Sequence, residues 1–140
     1  MAKRIGRTEP VVVDASIAAQ WFAHEPGSDD AARLLEEDRP LLAPEFMVLE
    51  AANAWWKKAG RHEMDAADAA QALTHLLAIG IEWVPDGSIA EDALALALEQ
   101  RHAVYDCAYL VVARRRGGAI ATADGALRSL AVSLGVRIWR

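Results

Sequence analysis

Apolar and polar positions fall into two patterns along the chain. Short continuous apolar runs, bounded by proline, glycine or charge, predict buried strands at "PVVVD" (10–14), "PLLAP" (40–44), "IEWVP" (81–85), "AIATA" (119–123) and "VRIW" (136–139). Longer stretches between them carry helical spacing. "ASIAAQWFA" (15–23) follows the first run, and "EPGSDDAARLLEE" (25–37) opens on turn residues before a helix with Ser28 as its expected N-cap. "EFMVLEAANAWWKKAG" (45–60) closes on Lys57, Lys58 and Gly60, and "DAADAAQALTHLLAIG" (65–80) stops at Gly80. A Pro85-Asp86-Gly87 turn and a capping box, Ser88 with Glu91, are expected to open "IAEDALALALEQRH" (89–102). "VYDCAYLVVARRR" (104–116), a Gly117-Gly118 turn and "DGALRSLAVSLG" (124–135) complete the series. Strands that alternate with helices and read as unbroken apolar runs imply an α/β fold: three layers, with a central, mostly parallel sheet of about five strands and helices on both faces.

Neither repeat nor linker breaks this order, so residues 1–140 are expected to form one domain, with residues 1–9 flexible. At 54% hydrophobic, 140 residues suffice for one substantial core. The net charge of −5, its excess in the first half, argues against a general nucleic-acid coat but leaves a local basic rim open. The single cysteine, Cys107, can form no internal disulfide, and neither a targeting segment nor an apolar run of about 18 residues is present. A cytoplasmic, membrane-free protein is the expectation.

Four acids stand in unusual places. Asp14 and Asp124 each end an apolar run, where open α/β sheets bind ligands beyond the carboxyl ends of their strands. Each is equally an ordinary N-cap for the helix that follows. Asp106 has a bland account too, as a first-turn acid answered by Arg114, Arg115 and Arg116 at the other helix end. Glu50 shares one narrow stripe with Phe46, Asn53 and Lys57 on an otherwise apolar helix; the stripe is either the solvent face or the face turned toward the strand ends. If the four carboxylates converge, their repulsion calls for a cation, and hard oxygen donors suit Mg²⁺ or Mn²⁺.

Other chemistries lack their residues. His62-Glu63 has Ala66 where a zinc-protease helix needs histidine, and nucleophile-elbow, P-loop and dinucleotide glycine patterns are absent. Cys107 reads as a buried thiol, His24, His62, His75 and His102 as scattered, and Trp55-Trp56 as core or subunit interface.

With "VVVDASI", "PEFMVLEAANAWW", "HAVYDCAYLVVA" and "IATADGAL" in this order, ahead of "LGVRIW", the chain resembles the PIN-domain ribonucleases, most closely the VapC-type toxins of type II toxin–antitoxin pairs. The resemblance runs from about residue 10 to the end. It implies that Asp14, Glu50, Asp106 and Asp124 form an acidic pocket for Mg²⁺ or Mn²⁺ that hydrolyses RNA, with Ser16, Asn53 and Thr122 as supporting polar residues. Lys57, Arg114, Arg115 and Arg116 would then be rim contacts to RNA phosphate. It further implies a homodimer and a cognate VapB-type antitoxin that blocks the pocket with a cationic side chain.

Two rival readings each miss a residue. A receiver-like signalling domain would need paired acids after the first strand, where Val13 precedes Asp14, and a lysine after a late strand; an aspartyl-nucleophile phosphatase would need Asp where Ser16 stands. A catalytically weak PIN fold serving as a binding module is the other alternative.

Overall fold

The computed structural model describes residues 8–22 and 26–140. Residues 1–7 of the expected flexible start lie outside these, as do residue 23 of the first expected helix, His24 and Glu25.

Along the chain run β1 (Val11–Val13), α1 (Ala15–Trp21), α2 (Ser28–Glu36), β2 (Leu41–Pro44), α3 (Met47–Gly60), α4 (Ala66–Ala78), β3 (Glu82–Val84), α5 (Asp86–Gln100), α6 (Val104–Arg116), β4 (Ala119–Ala121) and α7 (Gly125–Ser133). The sheet order is β3-β2-β1-β4 and every pairing is parallel. Right-handed crossovers then dictate the layers. Travel from β1 to β2 to β3 puts α1–α4 on one face, and the return from β3 to β4 puts α5 and α6 on the other; α1 accordingly packs on α2 and α3, α3 on α4, and α5 on α6. The order reverses beside β1, and at such a reversal open α/β sheets form their ligand crevice, here at the carboxyl ends of β1 and β4.

Burial explains why the strands read as plain apolar runs. All three residues of β1 and all three of β4 are fully inaccessible, covered by α6, whose residues Cys107–Ala113 are buried without a break. Trp55 is enclosed in the core while the adjacent Trp56 is 69% exposed, so the tryptophan pair splits between core and surface.

Three local expectations are corrected. The run "VRIW" contributes one parallel bridge, Ile120 to Ile138, instead of a fifth strand. Its chain turns inward after two sheet bonds, and the indole of Trp139 bonds Glu37 Oε2 at 2.9 Å. At α2 the N-cap is Gly27 at φ +93°, a conformation that favours glycine, and Ser28 is the first helical residue. The third correction concerns α5, which begins at Asp86, so the supposed turn is its first turn and the Ser88/Glu91 capping box does not form. The Ser88 hydroxyl donates back to the Pro85 carbonyl at 2.6 Å. Asp86 is held instead by α3's approach: its N–H donates to Glu45 Oε1 at 3.2 Å, and its Oδ1 accepts Phe46 N–H at 3.1 Å.

The β1–β4 pair starts at an unusually close approach. A Cβ on Gly118 would lie 2.6 Å from the Pro10 carbonyl oxygen, a backbone atom that cannot swing aside. Gly118→Ala is therefore expected to destabilise the fold by about 1–3 kcal/mol. Denaturant unfolding with an unchanged slope checks this; an unaltered midpoint would contradict it.

Candidate active site

The carboxyl end of β1 delivers Asp14 into the crevice. By position it is the N-cap of α1, yet its side chain makes no capping bond. Instead Oδ2 accepts the Ser16 hydroxyl at 2.6 Å and the Thr122 hydroxyl at 2.7 Å. The direction of both bonds is fixed from behind, because Ser16 Oγ accepts Ala123 N–H at 2.9 Å and Thr122 Oγ1 accepts Asp124 N–H at 3.0 Å. A hydroxyl that receives from an amide turns its own proton elsewhere, and here that proton points at Asp14.

Among the described residues Asp14 is the only buried carboxylate, at 7% exposed. Burial raises its pKa above the ordinary value, the two hydroxyls oppose this, and repulsion from Asp106 adds to the rise. Glu50, in the first turn of α3, extends from the surface to the buried Tyr109, whose hydroxyl donates to Oε1 at 2.7 Å. Its pKa is also raised, first by desolvation of the carboxylate end and then by Asp14 and Asp106, against the lowering bond from Tyr109. Asp106, in the first turn of α6, lies 2.7 Å from His102 Nε2. Three carboxylates from three elements thus share one electrostatic neighbourhood. The stripe of α3 that carries Glu50 is turned toward the strand ends at this residue.

The other expected site residues stand apart. Asp124 is exposed, and its Oδ1 caps α7 by accepting Ala126 N–H at 2.8 Å and Leu127 N–H at 3.3 Å. Its ordinary N-cap reading is what the geometry shows. Asn53 and Lys57 are exposed one and two turns beyond Glu50 on α3. Arg114, Arg115 and Arg116 end α6, eight to ten residues from Asp106, which at about 1.5 Å per residue is roughly 12–15 Å along the axis. Arg115 bonds Asp92 at 2.6 Å and the Ser88 carbonyl at 2.8 Å, and Arg116 bonds Glu82 at 2.6 Å. The structure does not bring these arginines to the carboxylates.

Sequence reasoning missed two contacts. His102 stands four residues before Asp106 but in the link between α5 and α6, so no spacing along one helix marks the pair. Tyr109 is 59 residues from Glu50, and nothing local points to that pair. Cys107, as expected, is a buried thiol, its pKa raised by burial and by Asp106.

The donor set can be tested against a metal. Among the described residues no three His, Cys, Asp or Glu side chains are close enough to wrap an ion, so a closed protein cage is absent. Mg²⁺ does not require one, since it is commonly held through one or two carboxylates and keeps its remaining ligands as water. A half-open set of hard oxygens, two of them on carboxyls whose pKa values burial and repulsion raise despite their hydrogen bonds, fits a hydrated divalent cation.

Comparison with known proteins gives the family. Residues 11–133 match the PIN domain family, from the first residue of β1 to the last of α7. The chain belongs to the PIN-domain family. Within it, Ribonuclease VapC3 of Pyrobaculum aerophilum is 32% identical over 116 residues, covering 81% of this chain and 88% of that protein. Among solved structures, VapC20 of Mycobacterium tuberculosis, described as a sarcin–ricin-loop-cleaving toxin, superposes with a TM-score of 0.67 at 18% identity over 86% of this chain and 94% of that one. A toxin–antitoxin complex from Klebsiella pneumoniae gives 0.54 at 17% identity over 81% and 86%. These two likenesses are of fold. This PIN domain is of the VapC type, and the receiver and phosphatase readings lapse. Among its described residues no helix is long and apolar enough to cross a membrane.

Proposed function

We propose that this PIN domain is a metal-dependent ribonuclease toxin that hydrolyses RNA phosphodiester bonds at Asp14, Glu50 and Asp106. One observation carries the reading: a buried carboxylate, Asp14, ends the central strand with Glu50 and Asp106 as its charged neighbours. An arrangement that costs stability at a ligand crevice is expected of a site kept for chemistry.

Asp14, Glu50 and Asp106 would hold Mg²⁺ or Mn²⁺, while Asp124, the fourth acid expected there, caps α7 through Oδ1. When bound, the ion supplies Lewis-acid stabilisation of charge on the phosphate and makes a water more acidic. The chain's own share is positional. Ser16 and Thr122 fix the Asp14 carboxylate in one orientation, Tyr109 does so for Glu50, and His102 for Asp106. Lys57, on the stripe of Glu50, would serve as a rim cation for RNA phosphate; the three arginines of α6 end their helix away from Asp106.

Partners follow from the relatives. The solved toxin–antitoxin complex supports a VapB-type antitoxin as the cytoplasmic partner that silences the pocket. Leu49 and Trp56 on α3 and Leu94 and Leu98 on α5 are more than half exposed, apolar surface of the kind that an antitoxin or a second copy in a homodimer covers.

A labelled single-stranded RNA panel tests the reading. Cleavage that appears with Mg²⁺ or Mn²⁺ and stops with EDTA supports it. Cleavage unaffected by EDTA, or no cleavage of any RNA by folded, antitoxin-free protein, contradicts it.

A further inference from the structure

Helix α6 presents two polar groups to the crevice one turn apart, Asp106 and the Tyr109 hydroxyl. The tyrosine is fully buried, and a buried hydroxyl needs a partner. It finds one in Glu50 Oε1, on a helix from the opposite layer. The ring has little freedom to choose another. Phe46, the residue preceding α3, meets Tyr109 edge-on at 5.3 Å between ring centres and Tyr105 at 5.2 Å, so it wedges the start of α3 against α6. Asp86 fixes that start again, through Glu45 and the Phe46 amide.

We infer that Tyr109 is a positioning residue for metal binding: its hydroxyl holds one oxygen of Glu50 and thereby turns the other toward Asp14 and Asp106. The inference rests on the function proposed above and adds to it a residue that is not a carboxylate. A phenol suits the task because it donates one hydrogen bond to Glu50 without bringing a charge of its own. A charged donor in its place would itself neutralise Glu50 and compete with the cation. Tyr109 and Asp106 are rigidly linked through one helical turn, so α6 sets the separation between a ligand of its own and the ligand it aims on α3.

Tyr109→Phe removes one oxygen atom and leaves the ring packing in place. Calorimetric titration with Mn²⁺ is expected to show affinity weakened by about 10–100-fold, the usual loss when a ligand's hydrogen-bond partner is removed. In RNA cleavage the midpoint of Mn²⁺ activation should move by the same factor, kcat should recover at saturating Mn²⁺, and KM for RNA should hold. A second comparison separates positioning from packing: in a Glu50→Gln background, Tyr109→Phe should weaken Mn²⁺ binding by no more than about twofold further, because the oxygen it aims is no longer a carboxylate. Unchanged Mn²⁺ affinity in Tyr109→Phe, or a full additional loss in the Glu50→Gln background, overturns the inference while leaving the proposed function standing. Wild-type protein that takes up no Mn²⁺ overturns both.

Discussion

Asp14→Asn is expected to lose RNA cleavage by at least about a hundredfold while unfolding at the same or higher denaturant concentration than wild type. The two halves of this result come from the same geometry. Removal of a hydrogen-bond partner behind a metal ligand typically costs 10–100-fold, and removal of the ligand's charge should exceed that. Stability moves the other way, because the charge is buried and its neighbours Glu50 and Asp106 are both acidic. An asparagine oxygen can still accept from Ser16 and Thr122, and its NH₂ would face acceptors instead of repelling them. An unfolded Asp14→Asn protein, or one that cleaves normally, contradicts the account.

A second large effect is expected in stability against pH and metal. The folded pKa values of Asp14 and Glu50 lie above their ordinary values of 3.8 and 4.5, so between those values and the raised ones the folded chain binds more protons than the unfolded chain. Stability contributed by these two groups is then fully present below the ordinary values and is lost as pH rises through the raised ones. Asp14's share is read as the difference between wild type and Asp14→Asn, which cancels the carboxylates that both proteins keep, including those that titrate in the opposite sense. Adding Mn²⁺ at neutral pH should reverse the deficit. At a hundredfold excess over its dissociation constant, a ligand that binds only the folded state adds about 2.7 kcal/mol. For a chain of this size that is roughly 10 °C in Tm. A wild-type Tm that does not respond to Mn²⁺, or a wild-type-minus-mutant stability that rises with pH, contradicts the assignment.

How much of this was legible depended on how local each cause is. The strand ends that place Asp14 and Thr122 were readable, because a buried parallel strand leaves an unbroken apolar run and the polar residue that stops it marks the ligand side of the sheet. Helix α6 was readable for the same reason, its apolar run carrying Asp106 at the start. The start of α2 lies one residue and that of α5 three residues before the expected position, since Gly27 and the Pro85–Asp86 pair took capping roles that serines usually hold. The bridge at Ile138 was overextended because Trp139 prefers Glu37 and the core to a further sheet bond.

The site itself was legible as a set of acids and not as an arrangement. That Glu50 faces the crevice and Asp124 caps α7 depends on Tyr109 and on the turn after Thr122, which belong to tertiary structure. The rim arginines failed on direction alone. Charge at the end of α6 is visible in sequence, but whether that end lies near or far from the carboxylates is decided by the antiparallel run of the helix against the strands.

Whether Asp14, Glu50 and Asp106 form a divalent-cation site is decided by calorimetric titration of Mn²⁺ into metal-free protein, wild type beside Asp14→Asn. Saturable binding is expected for wild type and its loss in a folded Asp14→Asn protein. Absence of binding in both, or equal binding in both, would contradict it.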